Sequence, residues 1–529
     1  MTDSGHLRAL ADLSDREEEL VEAARRGEEL KCSDLGVGDL ACSELAEHQI
    51  RAELIRELAL GRRGELDPRG VKLRGAHIVG ILDLDFVHAI AGLSFAECVI
   101  IDPITAKAAS LPQFTLTQSS INRVDASNAT ISGSLIFNKL RMRISTEGGA
   151  ICLVGAHIAG DLDLRNADIT NDAGPILHAG RLQVDGNVEL GGLQAAGSCE
   201  QGSIRLISAR IGGYLSGKDA KIDNDMGPSI FADRLKIDGG VSLSGLHASG
   251  VGDRGTIRLN GARIGGQLTF LRAKVLHGDG GGSNFDFDST RVERAVFFPA
   301  ELICPEAYGM KSCPNSGKID LDGFTFSSLR RVEWKQWLHL IRFHKPNYLA
   351  SPYRPWPYQQ LAAVERAAGH DSHARQILIC QQHDLRVHAP EAVGGRVTLL
   401  FHWMWGALAG YGYRARRIAV ALLFALATSG ALGYAAGQFS VRPGHYAAER
   451  TGTASGSVGA ACSSVELIGL GLDRGLPLAP TGLRASCDLD TTTRWGQIFT
   501  IAIWLDQFTI WGLATLALAG YTSLIRKSG

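Results

Sequence analysis

Between Val71 and about Val275 apolar and polar residues alternate in short runs, as at Ile158, Leu162 and Leu164, and the runs are rich in β-branched side chains. This is the spacing of short strands with one buried face, and it does not fit a helix. Within this stretch one phrase returns. Leu153-Val-Gly-Ala-His-Ile-Ala-Gly-Asp-Leu-Asp-Leu164 recurs at Leu206–Leu215 and at Leu259–Leu268, 53 residues apart each time. Looser copies lie between, at Leu177–Leu190 and Phe231–Leu243, so the structural unit is half that length; the earliest copy is Leu73–Leu84. A fixed long period implies a stacked array in which no unit buries its apolar face alone. Gly and Ala between the strands permit sharp corners and close stacking. The expectation is a mainly β chain containing a parallel β-solenoid. With roughly 26 residues per coil and about 4.8 Å between stacked strands, it would be a rod about 40 Å long.

Helical patterns flank the array. Residues 1–62 read as helices, with a capping box at Ser14-Asp-Arg-Glu17 and an apolar stripe of Ile50, Leu54, Ile55 and Leu58 ending at Gly61. Such a segment serves as a cap, because an open coil edge offers unpaired backbone to other chains. Between Ala89 and Thr146 the phrase blurs, and Pro103 and Pro112 interrupt it. After a loop at His277–Ser283, irregular strands run to about Ser328. Trp334, Trp337, Leu338 and Ile341 then fall at helical spacing, and a helical pair similar to one tetratricopeptide unit spans 358–385 with Gly369 in its turn. The expected domains are a helical N-terminal cap (1–68), the solenoid (69–328), a helical juxtamembrane connector (329–413) and a two-helix transmembrane region (414–529).

That last assignment rests on twenty residues without a charge, Ile418–Gly437, and a second apolar segment, Ile498–Ile525, interrupted by Asp506-Gln507. Arg414, Arg416 and Arg417 precede the first span, and Arg526 and Lys527 follow the second. The positive-inside rule therefore places both termini in the cytoplasm of a two-span protein of the cell membrane, with 438–497 as an extracytoplasmic loop. Val397–Ala409, too short to span, is expected in the interface, where Trp403 and Trp405 anchor it.

Composition adds three points. The chain has 529 residues, too many for one ordinary core, and its 63 glycines and 7% aromatic content suit thin coils. The net charge of −1 conceals an asymmetry. Residues 1–60 hold fifteen acids against seven Lys or Arg, and 330–417 hold thirteen Lys or Arg against five acids. The first segment should avoid polyanions and the second should be drawn to anionic lipid, with no nucleic acid expected as partner. The ten cysteines are mostly isolated. Cys462 and Cys487, alone in the extracytoplasmic loop, are the candidates for a disulfide. No signal peptide is visible in the polar first thirty residues, which agrees with a cytoplasmic N-terminal bulk.

The phrase Arg69–Leu84, its later copies and the ending Trp504–Lys527 resemble bacterial membrane-anchored β-helix proteins related to pentapeptide-repeat proteins. Some proteins of that kind carry the label membrane-associated oxidoreductase. The resemblance implies no catalytic residues.

Other chemistry is thinly represented. Gly250-Val-Gly-Asp-Arg-Gly255 matches a dinucleotide fingerprint, but Thr256-Ile-Arg-Leu259 continues as strand where a helix should open. His370, His373, Cys380 and His383 match no metal spacing. Cys304-Pro and Cys313-Pro form a pair in a loop that suits a redox or haem-responsive element less well than two chance thiols. Gly410-Tyr-Gly412, a potassium-filter fragment by composition, stands before the first span. Asp506, with Gln507, is the polar candidate inside a span, for pairing or for conduction. No catalytic, cofactor or metal site is expected. The leading function is a membrane-anchored scaffold whose cytoplasmic solenoid binds a protein partner or self-associates. The alternative is an oligomeric two-span pore gated by the solenoid, with Val465–Leu472 dipping back toward the membrane; an oxidoreductase ranks below both.

Overall fold

A computed structural model describes residues 12–43, 45–252, 255–278, 282–304, 317–346, 353–411, 413, 415–451, 460–476 and 486–527. The chain divides into two compact units, Met1–Ala374 and Arg375–Gly529.

The first unit is a four-sided stack of parallel strands, not closed into a barrel. Its four sheets contain 12, 10, 10 and 8 strands, and each coil contributes one short strand to each face in turn. Every face carries an aliphatic ladder inward. On the first face it runs Leu135, Leu162, Val188, Leu215, Val241, Leu268 and Val296, all at 3% exposure or less. The fourth face carries Ile131, Ile158, Val184, Ile211, Ile237, Ile264 and Val292. Burying one such side chain contributes about 1.5–3 kcal/mol, and the core is the sum of many rungs. Eleven spacings of about 4.8 Å on the first face make the stack about 50 Å long, longer than the sequence suggested.

Coil length explains both the 53-residue period and its early blurring. On the first face Leu162, Val188, Leu215, Val241 and Leu268 are stacked at steps of 26, 27, 26 and 27 residues. The earlier rungs Val71, Leu93, Phe114 and Leu135 follow at 22, 21 and 21. The region that looked irregular is therefore the plainer one, with about five residues to a side. Later coils lengthen the second-face strand and add a loop before the third face, as at 172–176 and 225–229. Asn171 holds the first of these loops. Its Oδ1 accepts from Thr146 N (2.9 Å), and its Nδ2 donates to Thr146 O and Pro175 O (both 2.9 Å). Asn224 does the same with Cys199 and Pro228. The coil between them carries Gly197 at that register, where a Cβ would meet Ser203 Oγ at 2.6 Å. An Asn coil alternates with a Gly coil, so the period is two coils.

Corners differ from the sequence expectation. Many take a left-handed residue that is not glycine, among them Phe86, Asn128, Asn166, Arg181 and Asp219. The Gly-Gly pairs are needed for closeness: a Cβ on Gly212 would lie 2.4 Å from Asp185 O.

At the N-terminal end stand α1 (Asp15–Arg26), α2 (Val37–Ala41) and α3 (Ala52–Ala59). The Ser14–Glu17 capping box is present. Between the helices, strands Glu29–Lys31 and Gln49–Arg51 extend the first and second faces, so Ile50 belongs to a strand and not to the helical stripe. At the other end Phe270, Phe285, Phe287, Phe298, Phe324 and Phe326 cluster, and Trp337 of α4 (Trp334–Phe343) packs on Phe298 at 5.5 Å between ring centroids. α5 (Trp356–Ala367) follows; Trp356 Nε1 donates to Phe324 O and Gln360 Nε2 to Phe326 O. After Gly369 (φ 83°) comes α6 (Asp371–His388).

The second unit contains α7 (Pro390–Val393), α8 (Arg396–Ala409), α9 (Ala415–Ala436), α10 (Ser464–Gly475) and α11 (Arg494–Lys527). Segments Arg416–Ala436 of α9 and Arg494–Leu518 of α11 are long and apolar enough to cross a membrane. α10 packs on α9 through glycines: a Cβ on Gly433 would meet Leu467 O at 2.3 Å, and one on Gly471 would strike Ser429 O.

Candidate functional site

Two places in the described structure concentrate polar chemistry, one on the solenoid and one among the apolar helices.

On the fourth face the residue before each inward aliphatic points out. From Ser110 the column reads Thr130, His157, Gln183, Arg210, Lys236, Arg263 and Arg291. The last four are exposed cations on consecutive rungs, about 4.8 Å apart, and they form no ion pair among the described residues. Like charges on adjacent rungs repel and destabilise the sheet. The next outward positions alternate Asp185, Gly212, Asp238, Gly265 and Glu293, so acids stand beside only some of the rungs. Asp185 pairs with His157 at 2.9 Å and not with the column's arginines. Sequence inspection missed this face because its cations are 26–28 residues apart in the chain. The signal was available once the coil length was known: Arg210, Lys236 and Arg263 hold equivalent places in successive copies of the phrase.

Beyond the second face, Asp172, Asp223 and Asp225 help line an acidic groove of about 420 Å³.

Among the apolar helices, Asp506 lies on the side of α11 that also carries buried Ile503, clustered with Ala436 of α9 and Leu467 of α10, and buried Ile510, clustered with Ile418 of α9. Ser429, fully buried, donates to Gly471 O of α10 at 2.8 Å. Asp506 Oδ2 has no partner among the described residues. This carboxylate therefore faces the junction of three helices. Gln507, one residue on, is half-buried.

The remaining candidates fall as follows. Cys462 and Cys487 are joined by a disulfide with Cα atoms 6.4 Å apart. Arg416 and Arg417 stand in the first turn of α9, Arg526 and Lys527 in the last of α11; Arg414 lies outside the described residues. Trp403 is 53% exposed on α8, and Trp405 packs against Ile418 and its neighbours. His370 and His373 do meet, on Glu365 at 3.1 and 2.9 Å, with His373 stacked on Trp334; Cys380 and His383 belong to the other unit. Gly250 ends a strand and Ile257–Arg258 begins the next, so no helix opens at the glycine fingerprint. Gly410 closes α8, and Gly412 lies outside the described residues. Cys304 is disulfide-bonded, while Cys313 lies outside the described residues.

No family model matches the chain, and neither a curated protein nor a solved structure matches it.

Proposed function

We propose that this chain is a membrane-anchored scaffold whose solenoid presents its basic fourth face to an acidic protein surface. The observation that carries the reading is the column Arg210, Lys236, Arg263 and Arg291, exposed and without ion pairs among the described residues. A rigid sheet sets four cations in register at small entropic cost, which suits recognition of a row of carboxylates. α9 and α11 supply the anchor as two transmembrane helices, with the disulfide-bonded loop outside and the solenoid inside. The test is crosslinking of the full chain in mild detergent. A captured acidic partner should dissociate as salt rises and should be lost from Lys236→Glu/Arg263→Glu. A monomer that captures nothing, or a complex indifferent to the double reversal, would overturn the reading.

A second reading, an oligomeric pore, draws on Asp506 at the three-helix junction and on α10 folded against both spans. Recordings of purified protein in planar bilayers decide it. Conductance altered by Asp506→Asn supports a pore, and silence in both proteins removes it.

A further inference from the structure

Glu365, His370 and His373 each bring one ligand atom within 4.8 Å of the others. We propose that these three side chains hold a zinc ion at the turn between α5 and α6. Glu365 lies in the last turn of α5, His370 stands just before α6, and His373 is in its first turn, all within the first compact unit. The backbone sets their spacing. His370 N donates to Glu365 O (2.8 Å), Gly369 between them takes a left-handed φ of 83°, and the His370 carbonyl accepts from His373 N and Ala374 N (3.0 and 3.1 Å). The turn thus sets one residue of α5 against two at the start of α6.

What separates this cluster from ordinary surface ion pairs is the point on which it converges. Nδ1 of His370 and Nδ1 of His373 lie 3.1 and 2.9 Å from the same oxygen, Oε2 of Glu365. A carboxylate offers two oxygens and about four lone-pair directions, so two rings seeking only hydrogen bonds had room to separate. Ligand atoms about 2.0–2.2 Å from a tetrahedral zinc ion stand about 3.3–3.6 Å apart, only slightly wider than these two separations. A small spreading of the side chains admits the ion.

The donor set fits as well. Two imidazoles and one glutamate are the ligands of zinc sites that keep a fourth position open. The side-chain hydrogen bonds of the three are to one another among the described residues, so a metal takes no partner from any other group. Each ring then carries its hydrogen on Nε2 and gives its Nδ1 lone pair to the ion, and Glu365 supplies negative charge. His373 is stacked on Trp334 of α4, with 4.9 Å between centroids and 25° between planes, which holds the ring in place. The Glu365 side chain is 15% exposed and that of His370 55%, so the open position is left to water. The third donor lies five residues before His370, across the Gly369 turn, and not forward along α6 toward Cys380 and His383. A bound ion would lock the turn against Trp334.

The experiment uses the full, untagged chain in detergent, stripped with a chelator and then dialysed against Zn2+ or Co2+. The chain should retain one Zn2+, and its Co2+ form should show the visible bands of a nitrogen and oxygen site without a sulfur charge-transfer band. Bound Co2+ should quench tryptophan fluorescence, and Trp334→Phe should keep the ion and lose that quenching. His370→Gln, His373→Gln and Glu365→Gln should each weaken retention at least tenfold with an unchanged far-ultraviolet spectrum. His383→Gln, whose ring pairs with Asp384 at 3.2 Å, should retain the ion as the parent does. A parent chain that holds no Zn2+, a sulfur band in the Co2+ form, quenching that survives Trp334→Phe, or retention that survives His370→Gln would overturn the proposal. None of these results bears on partner capture by the fourth face.

Discussion

Asn171 and Asn224 hold equivalent places two coils apart, and each side-chain amide satisfies three backbone groups, two on the preceding coil and one in the loop beside it. Replacing either by Ala leaves buried donors and acceptors unmatched, so Asn171→Ala should cost about 1–3 kcal/mol, read as a lower urea midpoint at unchanged slope. These residues were invisible in the sequence as a pair, because the phrase that drew attention contains the strands and not the loops. Asp286 supplies a second residue-scale prediction. Burial pushes its carboxyl from 3.8 up to about 7, with Asp320 on the next rung adding to the shift and Arg258 opposing it from 3.6 Å. An acid whose folded pKa is raised contributes stability that is present below its unfolded pKa and lost as pH rises through the folded one. The parent should therefore lose stability between about pH 4 and pH 7 relative to Asp286→Asn, by at most about 4 kcal/mol at about 1.4 kcal/mol per pH unit. Parallel urea titrations across that range measure the difference, and identical slopes for the two proteins would refute the assignment.

At the scale of elements, inward ladders were legible because strand alternation survives any change in coil length: Ile158, Leu162 and Leu164 are all buried. Coil length was not legible where it changed. The stretch from Ala89 to Thr146 lost its rhythm because its coils are about five residues shorter than those after Leu162, and a fixed-period search penalises that shift. The helical stripe at 50–58 mixed a strand residue with helix residues, since Ile50, Leu54, Ile55 and Leu58 are all buried and burial alone does not distinguish them. Among the apolar helices the close approach of α10 to α9 depends on Gly433 and Gly471. Small residues at such crossings let two helix backbones approach closely. Gly433→Leu should separate the two helices, which is detectable as loss of a crosslink between cysteines placed at Ala431 and Ile468. A crosslink of undiminished yield would show that the packing does not rest on this glycine.

At the scale of the molecule, apolar length and charge together suggested an anchored rod, and the structure contains the stacked sheets and two helices long enough to span. The basic fourth face was beyond reach of linear inspection, because neighbours on it are separated by a whole coil. What remains to be measured is where the rod resides, since the scaffold account requires a solenoid inside the cell and the α9–α11 loop outside. The direct measurement is labelling of intact cells with a membrane-impermeant thiol reagent, in a background with Cys42, Cys199 and Cys380 changed to Ser. Ser132→Cys, exposed on the solenoid, should label only after the cells are lysed, and Ser440→Cys, exposed just beyond α9, should label in intact cells. Labelling of Ser132→Cys in intact cells would contradict the account.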